Sequence, residues 1–406
     1  MIELDTLEQK RSSIASIKVV GIGGAGGNTV NSIIELGCTD IESIVVNTDI
    51  QALELSKAMH KIQIGIKSTK GLGAGADPLI GKRAAEEDLD KVLEVIGNAD
   101  IVFLAGGMGG GTGSGALPVI AKALKDRGIL SIVIVTKPFE FEGKRRARVA
   151  HEIIEQLKTM VDTLIVIPNQ KLLQVADQQV SMIDAFNMIN QVLSQSVRSI
   201  SDIITRPGHI NVDYADVRAI MKDRGLAVMG TGRAFGPERA HMAAMQAISS
   251  PLLENMSIEG ARGVLLNITG GRNLSLQELS QAASLIYKAA HEDANIILGS
   301  VIDESLEDDI LITIIATGFD EKEEDIVVPQ VDAPPLFKSE IISQPTVTQV
   351  QMHAAHKDTV AKIEQTEVVA PLSVEQEIQL AHAEELHIDV HDLDIPTFMR
   401  NKSDSL

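Results

Sequence analysis

The sequence predicts an α/β fold: a parallel sheet with helices on both faces, a long central helix, a second and smaller α+β domain, and a disordered tail. Three observations carry that prediction. Short apolar runs of strand length alternate with helical spacing through the first half of the chain. Glycine-rich loops recur where those runs end and helices begin. Beyond Gly225 apolar runs continue without such loops, and beyond Gly318 the periodicity dissolves.

A chain of 406 residues is long enough for two domains and a sizeable core. Hydrophobic residues make up 44% but aromatics only 2%, with no Trp, so the core is built from aliphatic side chains. A formal charge of −20 argues against nucleic acid or an anionic membrane as a direct partner. A nucleotide remains possible, because it needs only a local cradle. The single cysteine, Cys38, leaves no intramolecular disulfide and no cysteine cluster for zinc. With no basic-then-apolar leader and no membrane-length apolar run, the expectation is a cytoplasmic protein without direct membrane insertion.

The elements follow in order. Met1 to Ser16 read as a polar arm, and Ile17 to Val20 as a strand. Gly21, Gly23 and Gly26 then have dinucleotide-binding spacing, and a helical pattern runs through Ile33, Ile34 and Leu36. Asp49, just after the strand Ser43 to Val46, stands where a ribose-binding acid would, which supports an NAD-dependent oxidoreductase. Two further glycine loops weigh against it. Gly71 to Ala76 leads through Asp77 and Pro78, a proline suited to a first helical turn, into a helix from Leu79 to Ile96. Gly106 to Gly115 carries seven glycines between the strand Ile101 to Leu104 and the helix Ala116 to Lys125. Either this is a floppy turn, or bare backbone lets several N–H groups converge on one phosphate.

Strand Leu130 to Val135 is followed by a loop, Thr136 to Arg146, that brings an acid and a guanidinium together; the helix Lys144 to Met160 then begins with residues that equally suit a solvated face. Strand Leu164 to Ile167 closes on Pro168 and Asn169. From Ser181 to Ile204 the positions Ile183, Phe186, Ile189, Val192, Leu193, Val197, Ile200 and Ile204 form a wide apolar arc, the mark of a long helix between two layers. Phe186 suits either core packing or stacking on a base. Asp213 and Asp216 share one face at a helix start, where they either cap the helix or orient an attacking water. Strand-like runs at Ala227 to Met229, Val264 to Ile268, Ile296 to Gly299 and Ile310 to Ala316, with helices around Pro237 to Ile248 and Leu276 to His291, make the second domain. A polar, acidic stretch from residue 319 to about 390 reads as a disordered linker. Leu393 to Arg400 then offers apolar anchors and a proline, suited to a partner's groove or to a frayed terminus.

These residues carry a resemblance. Gly109-Gly110-Gly111-Thr112-Gly113-Ser114-Gly115 lacks the Gly-Lys-Ser/Thr ending of a P-loop and is similar to the glycine signature of the FtsZ family, the tubulin-related bacterial cell-division GTPases. The likeness extends through Gly24 to Asn28, Asn47-Thr48-Asp49, Gly73 to Pro78, Phe141-Glu142-Gly143, Asn211 to Asp216 and the tail Leu393 to Arg400. It implies a tubulin-like fold: a Rossmann-like GTP-binding domain over 17–180, a central helix over 181–204, an activation domain over 205–318, a linker over 319–390 and a partner-binding peptide over 391–406. It also implies a GTPase that polymerises head to tail into a ring under the inner membrane at midcell. The implied GTP/GDP site has Gly24, Ala25, Gly26, Gly27 and Asn28 on the diphosphate and Gly110, Gly111, Thr112 and Gly113 on the terminal phosphates. Glu142 and Arg146 would contact ribose and phosphate, and Asn169, Phe186 and Asn190 the guanine. Asp213 and Asp216, with Asn211, would reach the γ-phosphate of the neighbouring subunit. Mg²⁺ is implied as an ion held mainly by phosphate and water, and the tail as a dock for membrane-tethering and regulatory division proteins. Two positions depart from the family pattern. Ala25 replaces a frequent Gly, and Asn190 replaces an Asp that would offer guanine two acceptor oxygens rather than one.

Overall fold

The computed structural model describes residues 15–38, 40–173, 180–206, 208–253 and 258–319. The arm up to residue 14, the linker and the Leu393–Arg400 motif lie outside the described residues. Among them, ten strands form one sheet. They are β1 (Ile17–Ile22), β2 (Glu42–Asn47), β3 (His60–Gln63), β4 (Ile101–Gly107), β5 (Leu130–Lys137), β6 (Thr163–Pro168), β7 (Gly225–Ala234), β8 (Ala261–Gly270), β9 (Asn295–Ile302) and β10 (Ile310–Phe319). The principal helices are α1 (Gly23–Glu35), α2 (Pro78–Glu87), α3 (Leu89–Ile96), α4 (Thr112–Asp126), α5 (Lys144–Met160), α6 (Met182–Thr205), α7 (Tyr214–Met221), α8 (Arg239–Ile248) and α9 (Leu276–Ala289).

The strand order is β3-β2-β1-β4-β5-β6-β7-β10-β8-β9. From β3 to β7 every pairing is parallel, whereas β10 runs antiparallel to both β7 and β8. The parallel half is therefore doubly wound, and its order reverses between β1 and β4, which is the switch point where such sheets bind ligands. Both faces of these strands are covered, so β4 reads as an apolar run and β5 is apolar from Ile132 to Val135. Alternate residues of β1 feed different cores: Val19 packs with Val30, Phe103 and Ile200, Val20 with Leu104, Leu117 and Ile154. A third core, of Val264, Ile312 and Ile314 with Ala243 and Ile286, lies among β8, β10, α8 and α9.

Helix α6 fulfils the long-helix expectation. Ile189, Leu193, Val197 and Ile200 are buried with Leu265 and Ile315 of the antiparallel strands as well as with Ile132 and Ile134 of the parallel ones. Its first turn does not follow: Ile183 is 71% exposed, because the helix has already left the core there. Arg198 bridges Asp202 on the same helix and Asp303 beyond β9, and burial pushes the Asp202 carboxyl up against the opposing pull of Arg206 and Arg198.

Two local expectations are corrected. The single helix from Leu79 to Ile96 is two, broken at Asp88 (φ −119°, ψ 19°), whose carboxylate accepts the Gly65 N–H at 2.7 Å. A side chain that satisfies a backbone donor elsewhere competes with helix continuation. Strand β3, with the sequence His-Lys-Ile-Gln, was not expected, since a short edge strand with one buried side chain shows almost no apolar signal.

Candidate nucleotide site and a distant acidic edge

Strands β1 and β4 are neighbours, and each runs straight into a helix. Neither helix has a side-chain cap: Ile22 precedes α1 and Gly111 precedes α4. Two helix N-termini with first-turn N–H groups free of intrahelical partners thus open at one switch point, each equivalent to roughly half a positive charge. The loops are in contact, since a Cβ at Gly23 would stand 3.1 Å from the Gly113 nitrogen and 3.5 Å from the Thr112 Cβ.

The glycines divide into two kinds, which corrects the reading that all of them bare the backbone to a ligand. At Gly26 a Cβ would meet the Ala105 carbonyl at 2.3 Å, at Gly113 the Gly107 carbonyl at 2.5 Å, and at Gly115 the Pro78 carbonyl at 2.1 Å. These are glycines because backbone packs on backbone. At Gly24 and Gly110 nothing lies within 4 Å. Only these two of the expected phosphate-loop glycines face open space, one in each loop. The Gly109 N–H is already taken by the Ser114 hydroxyl at 2.8 Å, so the amides left to the crevice begin at Gly110. Ala25 lies exposed with its methyl over Gly107: a Cβ there would stand 2.8 Å from it. Asn28 is exposed and Gly27 partly so. The loop after β3 closes the crevice, with Gly111 set against Ala74 and the Asp77 nitrogen. Pro78 takes the first turn of α2, as expected, and Asp77 caps that helix.

Glu142 and Arg146 form an ion pair at 2.6 Å, and Glu142 also accepts the Phe139 N–H at 2.9 Å. The Arg146 backbone carbonyl presses on Gly109, which places this pair at the rim of the β4 loop. Phe139, buried, stacks on Phe141 (centroids 4.9 Å) and meets Phe186 edge-on (5.5 Å), so Phe186 belongs to an aromatic group while remaining 39% exposed. Asn169, at the end of β6, is 4% exposed, and among the described residues its Oδ1 has no hydrogen-bond partner. An unanswered buried acceptor at a strand's carboxyl end fits an N–H donor on a ligand. Asn190 lies on α6, whose Ser194 hydroxyl donates to the Asn190 carbonyl and approaches that of Thr29 on α1 at 3.4 Å.

Asn211, Asp213 and Asp216 stand apart from all of this. Asp213 caps α7 by accepting the Asp216 N–H at 2.9 Å, and Asn211 accepts the Gly208 N–H at 2.9 Å. The hydroxyl of Tyr214, which opens α7, donates to the Asp100 carbonyl, immediately before β4. The glycine loop lies at the other end of that strand, so the acids sit roughly 20 Å from the crevice of their own chain. Asp213 and Asp216 are exposed, and so is Asn211.

Sequence reasoning had given no role to Thr48, whose hydroxyl lies 2.7 Å from that of Thr112, or to Phe139, which organises the aromatic group. The triplet Asn47-Thr48-Asp49 was the available signal. Asp49, the acid that a dinucleotide site would need on a ribose, instead caps a short helix through the Gln51 N–H at 2.9 Å.

A doubly wound sheet with two uncapped helix N-termini at its switch point defines a nucleoside-phosphate-binding protein. Residues 16–177 match the GTPase domain of the Tubulin/FtsZ family, and residues 225–320 match the FtsZ C-terminal domain. The structure of an empty FtsZ dimer from M. jannaschii is 40% identical, with a TM-score of 0.74 over 78% of this chain and 92% of that one. Two proteins of Haloferax volcanii share the fold: CetZ1 as a GDP-bound monomer (22% identity, TM-score 0.66, 75% of this chain and 95% of that one) and CetZ2 as a GTPγS-bound protofilament (20%, 0.64, 76% and 94%). The chain belongs to the FtsZ family: it is a tubulin-like GTPase that binds guanine nucleotide.

Proposed function

We propose that this protein polymerises head to tail into filaments, hydrolyses GTP only where one subunit meets the next, and serves bacterial cytokinesis as a ring under the inner membrane at midcell. The observation that carries this reading is the separation just described. The crevice offers backbone amides, and the Glu142 carboxylate at its rim is already taken by Arg146 and the Phe139 N–H, while Asp213 and Asp216 lie exposed at the opposite end of the strands. A second copy stacked end to end brings the two together, and the likeness to an FtsZ that forms a dimer supports such stacking.

In this reading the amides around Gly24 to Asn28 hold the diphosphate and those from Gly110 to Gly113 the terminal phosphates. Glu142 and Arg146 contact ribose and phosphate, while Asn169, Phe186 and Asn190 hold the base. Asp213 and Asp216, with Asn211, orient the attacking water from the neighbouring subunit. Mg²⁺, in this reading, enters with GTP and is held mainly by phosphate and water. No helix among the described residues is long and apolar enough to cross a membrane; the Leu393–Arg400 motif is the proposed link to tethering and regulatory proteins. The cytoplasm is the compartment this reading requires.

The test is phosphate release against protein concentration, with sedimentation in GTP, in GDP and without nucleotide. Specific activity should rise and plateau where GTP-dependent pelleting begins. Asp213→Ala and Asp216→Ala should still bind GTP and lose about 100-fold or more in turnover. A monomeric sample that hydrolyses GTP at constant specific activity refutes the proposal.

A further inference from the structure

We propose that Thr48 is a positioning residue for GTP hydrolysis, acting through Thr112. The inference rests on reading the β4 loop as the seat of the terminal phosphates. Thr48 follows β2 and is completely buried, so it does not touch the nucleotide. Its hydroxyl lies 2.7 Å from the Thr112 hydroxyl. Thr112 stands at the meeting of three elements: it opens α4, its Cα is 3.1 Å from the place a Gly81 Cβ would take, and its Cβ is 3.5 Å from that of Gly23. It is also partly exposed, which leaves the hydroxyl access to the crevice.

Thr48 itself is held from both sides. Asn47 Oδ1 accepts the Thr48 N–H at 2.8 Å and the Asp49 N–H at 3.3 Å. The Thr48 carbonyl faces the Thr69 hydroxyl at 3.4 Å, which donates principally to the Gly65 carbonyl at 2.9 Å. The turn is thereby fixed on the body of the domain, and the hydroxyl with it.

A threonine hydroxyl has one proton and two lone pairs. Either hydroxyl can donate in this pair; the proposed arrangement has the fully buried Thr48 donate, which leaves the Thr112 proton to point at the crevice. Without Thr48, a threonine at a helix start turns its proton to the nearest backbone carbonyl. In hydrolysis water attacks the γ-phosphorus, and the bond to the bridging oxygen breaks with its electron pair leaving on GDP. The proton that the water loses passes to the released phosphate. A donor already aimed at the phosphate oxygens stabilises the charge that shifts during this step without reorganising.

The variants are Thr48→Val, which keeps the shape and removes the hydroxyl, and Thr48→Ser, which does the reverse. Both are assayed on the full chain, at saturating protein, for kcat, KM for GTP and Kd for GDP, with melting temperature as the check on folding. Thr48→Val should lose about tenfold in kcat with KM and GDP affinity held within about threefold, and Thr48→Ser should stay within about threefold of the wild-type kcat. In Thr48→Val/Thr112→Val the turnover should equal that of Thr112→Val alone, because the two hydroxyls act as one unit. Equal losses in the Val and Ser variants, or parallel losses of GTP and GDP affinity, make Thr48 a packing residue and overturn the proposal; so does wild-type turnover in Thr48→Val. Should Thr48→Val not fold, Thr112→Val and Thr48→Ser still decide: the first must lose turnover and the second keep it. Wild-type GTP affinity and turnover in Thr112→Val would instead refute the phosphate assignment beneath it.

Discussion

Gly24→Ala separates folding from binding at the crevice, because the two should move in opposite directions. Gly24 is the second residue of α1, and nothing lies within 4 Å of the Cβ that alanine would add. The methyl therefore meets no strain, while the helix gains and the unfolded chain loses freedom, which stabilises the nucleotide-free protein by about 0.5 kcal/mol. For a domain of this size that raises the melting temperature by roughly 1–2 °C. The open space is also where the phosphate must come to reach the α1 amides. A methyl there lengthens or removes one hydrogen bond to a charged group, about 1.5–3 kcal/mol, or roughly a 10- to 150-fold weaker Kd for GTP. The assay is a thermal melt without nucleotide beside calorimetric titration of GTP, and Gly110→Ala should give the same pair of signs. A variant that melts higher and binds GTP as tightly as wild type places the phosphates elsewhere. One that melts several degrees lower shows that Gly24 is packed.

Three further outcomes follow from particular contacts. In Gly115→Ala the new Cβ falls 2.1 Å from the Pro78 carbonyl and 2.4 Å from the Lys82 nitrogen, both backbone of α2, so unfolding in urea should show a loss of about 3 kcal/mol; a loss under 1 kcal/mol means that α2 moves freely. Asn169→Ala removes the buried Oδ1 without a described partner, and should cut the preference for GTP over ITP, which lacks the exocyclic amine, while GDP and GTP weaken alike; an unchanged GTP/ITP ratio removes Asn169 from base recognition. Hydrogen bonds from the Arg239 guanidinium hold the Glu278 carboxyl down at about 2, against an ordinary 4.5. A depressed carboxyl stabilises the fold above its unfolded pKa, so that contribution, about 2 kcal/mol, should be complete above pH 5 and fade as pH falls from about 4.5 towards 2. Denaturant midpoints of wild type and Glu278→Gln should therefore differ most at pH 6, differ less at pH 3 and converge only as the pH approaches 2, and a gap that stays constant with pH would place the effect of the substitution outside this ion pair.

Where a segment's fate is settled by its own neighbours in sequence, the fold was legible. Strands β1, β4 and β5 are apolar on both faces and announce themselves; α5 begins and ends at the residues its pattern gives; Asp77-Pro78 signals the start of α2. The failures are all tertiary. Asp88 interrupts a helix for the sake of a donor 23 positions away, and β3 forms because β2 offers an edge. The seven glycines of the β4 loop are alike as letters, and only their surroundings divide those that pack on backbone from those that face the crevice. For the acidic pair the sequence offered a cap or a catalyst. Asp213 does cap α7, yet its place at the far edge of the sheet, which decides what else it can reach, is written nowhere in the local pattern.

The arrangement has a physical logic under the proposed function. A carboxylate inside a cradle of amides would repel the triphosphate it is meant to help hydrolyse, and the two positions that face the open space, Gly24 and Gly110, carry no side chain. Backbone dipoles can therefore bind the nucleotide, and do so despite a net charge of −20, because their reach is a single helical turn. Catalytic acids have to come from a different surface, and the far edge of the sheet is the surface that a copy stacked in the same orientation presents. Because the Asp213 carboxylate is already fixed by capping α7, and Asp216 is the residue whose N–H it accepts, the neighbour delivers Asp213 preorganised rather than as a mobile side chain. Binding is then complete in one chain and hydrolysis in two, so the nucleotide survives until assembly has taken place and is consumed because it has.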